Sequence, residues 1–198
     1  MTPTIDDHAA RFDAKATAYD DSERPVYAAC ASLVIAAADP GPEDVVLDLG
    51  TGTGAIALAL ADTAARVVGR DISEGMLEQA MSKAAGRDNV SFGIGRFRDP
   101  AYEGPADIVV SNYALHHLDD DEKREAITRI SAYDPRRFVL GDLMFFDGYP
   151  TTDPEHDPAV DDPATVGALV TMLTDAGFII TDVSPVTDQA GVIVAERR

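Results

Sequence analysis

The chain has 198 residues, a formal net charge of −19 and a single cysteine. Its acidic residues are spread along the whole sequence, and the absence of a basic stripe excludes nucleic acid as an expected partner. The longest apolar run, residues 28–38, is too short to cross a membrane. We therefore expect a soluble, cytoplasmic, single-domain protein without an internal disulfide bond.

The N-terminal residues 6–38 have a helical pattern that breaks near Pro25. An amphipathic stretch, residues 8–19, precedes an apolar one, residues 26–38, and a Pro-Gly-Pro sequence ends the second. Cys30 lies in the apolar stretch, where a small buried core residue is expected. The sequence thus predicts two helices ahead of the first strand.

The central stretch, residues 45–61, reads VVLDLGTGTGAIALALA. Its β-branched start predicts a strand that is buried on both faces, and its apolar end predicts a helix. Between them, Gly50, Gly52 and Gly54 allow positive φ angles and a close approach of the backbone to a ligand. The sequence predicts a strand, a ligand-binding glycine loop and a helix.

Two carboxylates accompany this loop. Asp48 precedes Gly50 by two residues, and Asp71, after the strand-like residues 66–70, follows Gly50 by 21 residues. A carboxylate at that distance accepts hydrogen bonds from the ribose hydroxyls of a bound nucleotide. The loose GxGxxG/A match that begins at Gly52 fits both nicotinamide and S-adenosylmethionine (SAM) enzymes, so the loop spacing alone leaves both open.

The rest of the chain alternates strands and helices. Ser73 is predicted to cap a helix. Strands are predicted at residues 89–94, 106–111, 138–140 with a continuation through 141–146, 178–186 and 191–196. A helix is predicted after Asp119 and another at residues 164–176. Such alternation indicates an α/β fold, a three-layer sandwich whose mostly parallel sheet has helices on both faces. The ligand is expected at the carboxyl ends of the strands.

Three motifs resemble those of class I SAM-dependent methyltransferases: LDLGTGTG, RDISEGMLEQA (residues 70–80) and SNYALHHL (residues 111–118). The resemblance implies a seven-stranded sheet with an antiparallel last strand, in a single domain of residues 1–198 whose core is residues 44–198. It also implies SAM as cofactor and a small molecule as acceptor. The predicted cofactor-binding residues are Asp48, Gly50, Thr51, Gly52, Gly54, Asp71, Ile72, Met76, Arg96, Phe97 and Asn112.

The segment FDxxAxxYD, with Phe12, Ala16 and Tyr19, resembles the N-terminal segment that covers the cofactor in small-molecule methyltransferases. Residues 1–40 are accordingly predicted to form a helical lid together with the loop at residues 145–163, whose Phe146 and Tyr149 would wall an apolar pocket. An ordinary apolar helix face is an equally open interpretation of the segment. The predicted acceptor-contacting residues are Tyr19, Tyr113, His116, His117 and Phe146, of which His116, as a general base, and Tyr19 are the catalytic candidates.

The chain departs from the family pattern after the third strand. The family usually has Gly-Asp-Ala there, with its carboxylate on the adenine amino group, whereas this chain has Gly95-Arg96-Phe97. Arg96 has no hydrogen-bond acceptor. Adenine is therefore expected to be bound by backbone groups, stacked on Phe97 or Ile72, or reached by Asp99.

Other functions and properties stay open at this point. A nicotinamide oxidoreductase is disfavoured because no lysine is suitably placed, while a non-catalytic SAM-binding module or a homodimer is compatible with the sequence. No metal site is predicted, and His156 with its acidic neighbours is interpreted as part of a solvated loop. The strongly acidic composition resembles that of haloarchaeal cytoplasmic proteins, with an acidic bacterial protein as the alternative.

Overall fold

A computed structural model describes residues 4–20, 24–146 and 156–197. The helices are α1 (Ile5–Asp13), α2 (Pro25–Ala38), α3 (Ala55–Leu60), α4 (Glu74–Lys83), α5 (Asp120–Ser131) and α6 (Val166–Asp175). The strands are β1 (Val45–Leu49), β2 (Arg66–Asp71), β3 (Val90–Ile94), β4 (Ile108–Asn112), β5 (Arg137–Phe145), β6 (Ala164–Thr165), β7 (Ile179–Pro185) and β8 (Ala190–Glu196). Two short 3-10 turns, Ala16–Ala18 and Leu115–His117, complete the described elements.

The strands form one sheet in the order β3-β2-β1-β4-β5-β8-β7. The first five are parallel, and β8 is antiparallel to both β5 and β7. The predicted seven-stranded, mostly parallel α/β sheet with an antiparallel last strand is confirmed. The two-residue strand β6, which pairs with β5 outside this path, is an addition that the sequence pattern does not predict.

Helices cover both faces of the sheet. On one face α2 and α3 bury Val34 and Leu60 against the strands, and on the other α5 and α6 bury Ile127 and Leu169. Burial of apolar surface on both sides is the main source of stability for such a sandwich. Cys30 is fully buried in the α2 layer, as expected of a small core residue.

The N-terminal region differs in detail from the prediction. The amphipathic helix starts earlier, at Ile5, where the side chains of Thr4 and Asp7 form a capping box, and it already ends at Asp13. The chain then turns through Ala16–Ala18 instead of continuing as a helix to residue 19. The predicted helix at residues 8–19 is thus wrong in its bounds, because contacts between this segment and the core override its local helical pattern.

Within the part of the chain that the structure describes, no helix combines the length and apolar character that crossing a membrane requires.

Candidate active site

A cavity of about 730 Å³ lies at the carboxyl ends of the parallel strands. Its volume is within the range of ligand pockets, roughly 300–1,000 Å³. The N-terminal segment, the glycine loop, the turn after β4 and residues 158–162 all contribute to its wall. The predicted site residues that line it are Tyr19, Gly50, Gly52, Asp71, Ile72, Met76, Arg96, Phe97, Asn112, Tyr113 and His117.

The glycine loop has the backbone that the sequence predicts. Gly50, Gly52 and Gly54 have φ angles of 73°, 55° and 83°, a region that residues with a Cβ adopt only with strain. A Cβ built on Gly50 would run into the side chain of Ala114, whereas one built on Gly52 would have no atom within 4 Å. Gly52 therefore leaves open cavity space where any other residue would place a side chain.

Asp71 fixes the loop from the end of β2. Its Oδ2 accepts the backbone N–H of Gly52 at 2.8 Å, and its Oδ1 accepts that of Ser73 at 3.0 Å. Burial raises the pKa of this carboxyl, against the opposing effect of the two N–H donors. Each oxygen keeps a further lone pair, so the carboxylate can also accept bonds from a ligand in the cavity.

Asp48 lies beneath the loop and outside the cavity wall. It is fully buried and accepts a 2.7 Å hydrogen bond from the hydroxyl of Thr51. Burial raises its pKa to about 7. Thr51 and Gly54, like Asp48, support the loop from below and do not border the cavity.

We expect Asp48→Asn to reduce the pH dependence of stability in the ligand-free protein. A carboxyl with a folded pKa of about 7 and an unfolded pKa near 3.9 binds more protons when folded, so the wild type loses free energy of unfolding as the pH rises from about 4 to 7. The amide has no such titration. Urea unfolding of the wild type and of Asp48→Asn at pH 5 and pH 8 measures this difference. An equal decrease in the free energy of unfolding of both proteins between these pH values would contradict the prediction.

The N-terminal segment is held on the core by the two aspartates of FDxxAxxYD. Asp13 Oδ1 accepts the Ser73 hydroxyl at 2.5 Å and the Gly75 N–H at 3.0 Å, at the start of α4. Asp20 accepts the Thr53 hydroxyl at 2.7 Å and forms an ion pair with Lys83. These contacts place the segment over the glycine loop, where Phe12 and Tyr19 line the cavity.

Aromatic rings form much of the cavity wall beside this segment. The Arg24 guanidinium lies 3.9 Å from the ring centroid of Tyr19 and 4.2 Å from that of Tyr27. Tyr27 makes an edge contact with Tyr113, at 5.4 Å between centroids. Tyr113 follows β4 with a φ of 55°, an unusual left-handed conformation for a tyrosine. The chain therefore turns sharply at the cavity edge.

The two histidines after β4 have different surroundings. His116 is buried and absent from the cavity wall, and its Nδ1 is hydrogen-bonded to Asp142 on β5. His117 lines the cavity, and its Nδ1 lies 3.0 Å from Asp161 Oδ1. Burial lowers the pKa of His117, which keeps its ring neutral near pH 7. For Asp161, burial acts to raise the pKa, but the adjacent His117 and the Asp157 N–H outweigh it and lower it to about 2.

Of the other predicted site residues, some border the cavity and some do not. Arg96 and Phe97 border the cavity, and the Arg96 side chain is exposed, 3.9 Å from Asp6. Phe146 does not line the cavity. It directly follows β5, which continues beyond residue 140 as predicted, and its ring lies against Gly191 on β8. The predicted wall residue Tyr149 lies outside the described residues.

The polar residues at or next to the cavity that the sequence prediction misses include His8, Tyr27, Asp142 and Asp161. The sequence does mark Asp142 as unusual: it is a carboxylate inside the apolar strand sequence FVLGDLMF, and a buried carboxylate requires a hydrogen-bonding or charged partner. Tyr27 is the one large polar side chain in the apolar α2. Asp161 carries no local signal, since it lies in a proline-rich acidic loop.

Comparison with known proteins identifies methyltransferases as relatives of this chain. Residues 46–133 match the family described as a methyltransferase domain. An uncharacterized methyltransferase of Geobacillus sp. (strain WCH70) is 33% identical over 146 residues, which cover 72% of this chain and 67% of that protein. One from Geobacillus kaustophilus is 32% identical over 141 residues, and the match spans 70% of this chain and only 65% of that relative's length.

Among solved structures, a complex of DhpI with SAM and HEP superimposes on this chain with a TM-score of 0.77. The superposition covers 97% of each chain at 20% identity. This likeness establishes the common fold.

Proposed function

The chain belongs to the family of SAM-dependent methyltransferases, and we propose that it transfers a methyl group from SAM to a small-molecule acceptor bound in the cavity. One observation carries this proposal: the glycine loop and the Asp71 carboxylate border a single cavity that aromatic side chains also line. The DhpI complex with SAM, which has the same fold, supports the choice of cofactor.

The residues around the loop suit SAM. The open space above Gly52 allows the ligand to approach the backbone, and the free lone pairs of Asp71 suit the two ribose hydroxyls. Asp48, below the loop, would favour the amino group of the methionine part, and the positive charge of that group would in turn favour the ionised form of the Asp48 carboxyl. We propose that Ile72 and Phe97 enclose the adenine, since both line the cavity and Arg96 has no acceptor to offer it.

SAM supplies an activated methyl group on a positively charged sulfur. The task of the protein is then to align the acceptor with that group and to exclude water. Tyr19 and Tyr113, both on the cavity wall, would contact the acceptor. His116, predicted as the base, would act from behind the wall with its ring held by Asp142, whereas His117 presents its ring directly to the cavity.

Incubation of the full-length protein with SAM labelled in its methyl group tests this proposal. With metabolite pools as acceptors, we expect label in a small molecule and a matching amount of S-adenosylhomocysteine (SAH). Label that entered protein or nucleic acid instead would contradict the small-molecule acceptor. SAM binding without transfer to any pool would favour the alternative of a non-catalytic SAM-binding module.

We also propose that the folded protein is adapted to high salt, and we expect its melting temperature to rise steeply from low salt to molar KCl. The net charge of −19 means that the acidic side chains repel one another in the folded state. At 1 M salt the Debye length falls to about 3 Å, which screens that repulsion. The Geobacillus relatives are bacterial, so composition alone motivates this expectation. A flat melting profile across the same range would identify an ordinary acidic protein.

A further inference from the structure

Three ligand-type side chains meet beside the cavity. His116, His117 and Asp161 each offer one ligand atom, and these atoms all lie within 4.8 Å of one another. Asp161 Oδ1 is 3.0 Å from His117 Nδ1 and 3.9 Å from His116 Nε2. His117 Nδ1 and Asp161 Oδ1 are buried, yet neither makes a hydrogen bond of good geometry to any described residue. Two potential metal-ligand atoms are thus buried next to each other without a well-formed hydrogen bond.

Asp142 orients the first of these side chains. It is almost fully buried on β5, its Oδ1 is paired with His116 Nδ1, and its Oδ2 accepts the backbone N–H of His116 at 3.0 Å. A carboxylate accepts a proton from Nδ1, so the lone pair of His116 is on Nε2, which faces Asp161. A histidine held by a carboxylate through its other nitrogen is the usual arrangement of a metal ligand.

The loop that carries Asp161 is also fixed. Asp161 Oδ2 accepts the Asp157 N–H at 2.8 Å, which leaves Oδ1 toward the histidines. The Asp162 N–H donates to the His116 carbonyl at 2.7 Å, and the buried Lys123 ammonium donates to the Asp162 carbonyl at 2.6 Å. These bonds hold the carboxylate next to the two rings.

We propose that His116, His117 and Asp161 bind one divalent transition-metal ion of the zinc type. In this site the Nε2 lone pair of His116 binds the ion, so His116 is a ligand and not the general base. Two imidazoles and one carboxylate form a common ligand set of open zinc sites, whereas magnesium and calcium prefer oxygen ligands alone. In a tetrahedral site with bonds of about 2.0–2.2 Å, neighbouring ligand atoms are roughly 3.3–3.5 Å apart. The observed 3.0 and 3.9 Å lie on either side of that separation, and the two histidine nitrogens are within 4.8 Å of each other, so a movement of the two rings toward a common point completes the site. The sequence predicts no metal here, because Asp161 is remote from the histidines along the chain.

His117 and Asp161 line the cavity, so the remaining coordination position opens toward the acceptor. This further step rests on the proposed function: the acceptor would be a molecule with a hydroxyl or thiol group that reaches the ion. Coordination lowers the pKa of such a group, and its proton leaves to water. The oxygen or sulfur lone pair then forms the bond to the methyl carbon, while the electrons of the carbon–sulfur bond move to the SAM sulfur and leave neutral SAH.

Metal titration of the untagged, full-length protein tests the site without SAM or acceptor. After removal of metal with a chelator, we expect calorimetry with Zn²⁺ to give one site per chain, and Co²⁺ to give visible d–d absorption. His117→Ala and Asp161→Asn should each lose at least 100-fold in Zn²⁺ affinity and lose the Co²⁺ spectrum. Asp142→Asn, which replaces the carboxylate that holds His116, should lose about 10- to 100-fold in Zn²⁺ affinity.

His156→Ala is the matched control, because it removes a histidine next to the same loop but outside the cluster. It should bind Zn²⁺ like the wild type. Zn²⁺ should also raise the melting temperature of the wild type and of His156→Ala but not that of His117→Ala, provided that each metal-free variant melts cooperatively. The proposal is wrong if the wild type binds no stoichiometric Zn²⁺, or if His117→Ala and Asp161→Asn bind it unchanged. Neither result depends on methyl transfer, so failure of this site is distinguishable from failure of the proposed function.

Discussion

Replacing Asp71 by alanine is expected to weaken SAM binding by about 10- to 150-fold. Hydrogen bonds to a charged group contribute about 1.5–3 kcal/mol, and each 1.4 kcal/mol is a factor of ten in affinity. The variant would lose the acceptor for the ribose hydroxyls. It would also lose the acceptor of the Gly52 and Ser73 N–H groups, which shape the loop. Calorimetric titration with SAM and with SAH measures the loss.

Two comparisons separate ligand contact from damage to the loop. Asp71→Asn retains oxygen and shape but loses the charge, so it should bind SAM with an affinity between those of the wild type and the alanine variant. Asp182→Ala, which removes an exposed carboxylate on β7, should bind like the wild type. Unchanged affinity in Asp71→Ala would refute the ribose assignment.

Deletion of residues 1–20 is expected to abolish methyl transfer while the sheet stays folded. The deleted residues include Phe12 and Tyr19 on the cavity wall, so water would reach the methyl group and the acceptor would lose one side of its pocket. The sheet and its two helical layers do not include this segment. Transfer of labelled methyl groups measures the first effect, and circular dichroism with thermal melting measures the second.

Weakening the attachment of the N-terminal segment to the core should also reduce methyl transfer, but less than deleting the segment does. The double variant Asp13→Ala and Asp20→Ala removes the contacts to Ser73, Gly75, Thr53 and Lys83 but keeps both aromatic rings. We expect reduced transfer and faster SAM dissociation from it. Full-rate transfer by the truncated protein would mean that the N-terminal segment is a packing helix and not a lid.

The sequence predicts best what depends on local pattern. The alternation of β-branched runs and helical stretches yields the sheet, and the spacing from Asp48 through Gly50 to Asp71 yields the loop and its carboxylates. These features depend on residues that are close in sequence or lie in consecutive strands. The fold and the glycine-loop end of the cavity therefore follow from the sequence pattern.

The part of the cavity near the two histidines is less predictable because it depends on long-range contacts. Which of His116 and His117 faces the cavity is set by the left-handed Tyr113 and the 3-10 turn that follows it, and neither has a distinct sequence pattern. Asp142 and Asp161 reach the histidines from β5 and from the loop before β6. Similarly, the end of α1 at Asp13 is fixed by contacts with α4 and not by the local sequence.

Titration of the wild-type protein with SAM, SAH and NAD in molar KCl tests the central claim most directly. We expect one SAM site per chain, competition by SAH and no measurable binding of NAD, because the cavity and loop are assigned to a SAM-dependent methyltransferase. Tight NAD binding together with weak or absent SAM binding would contradict that assignment.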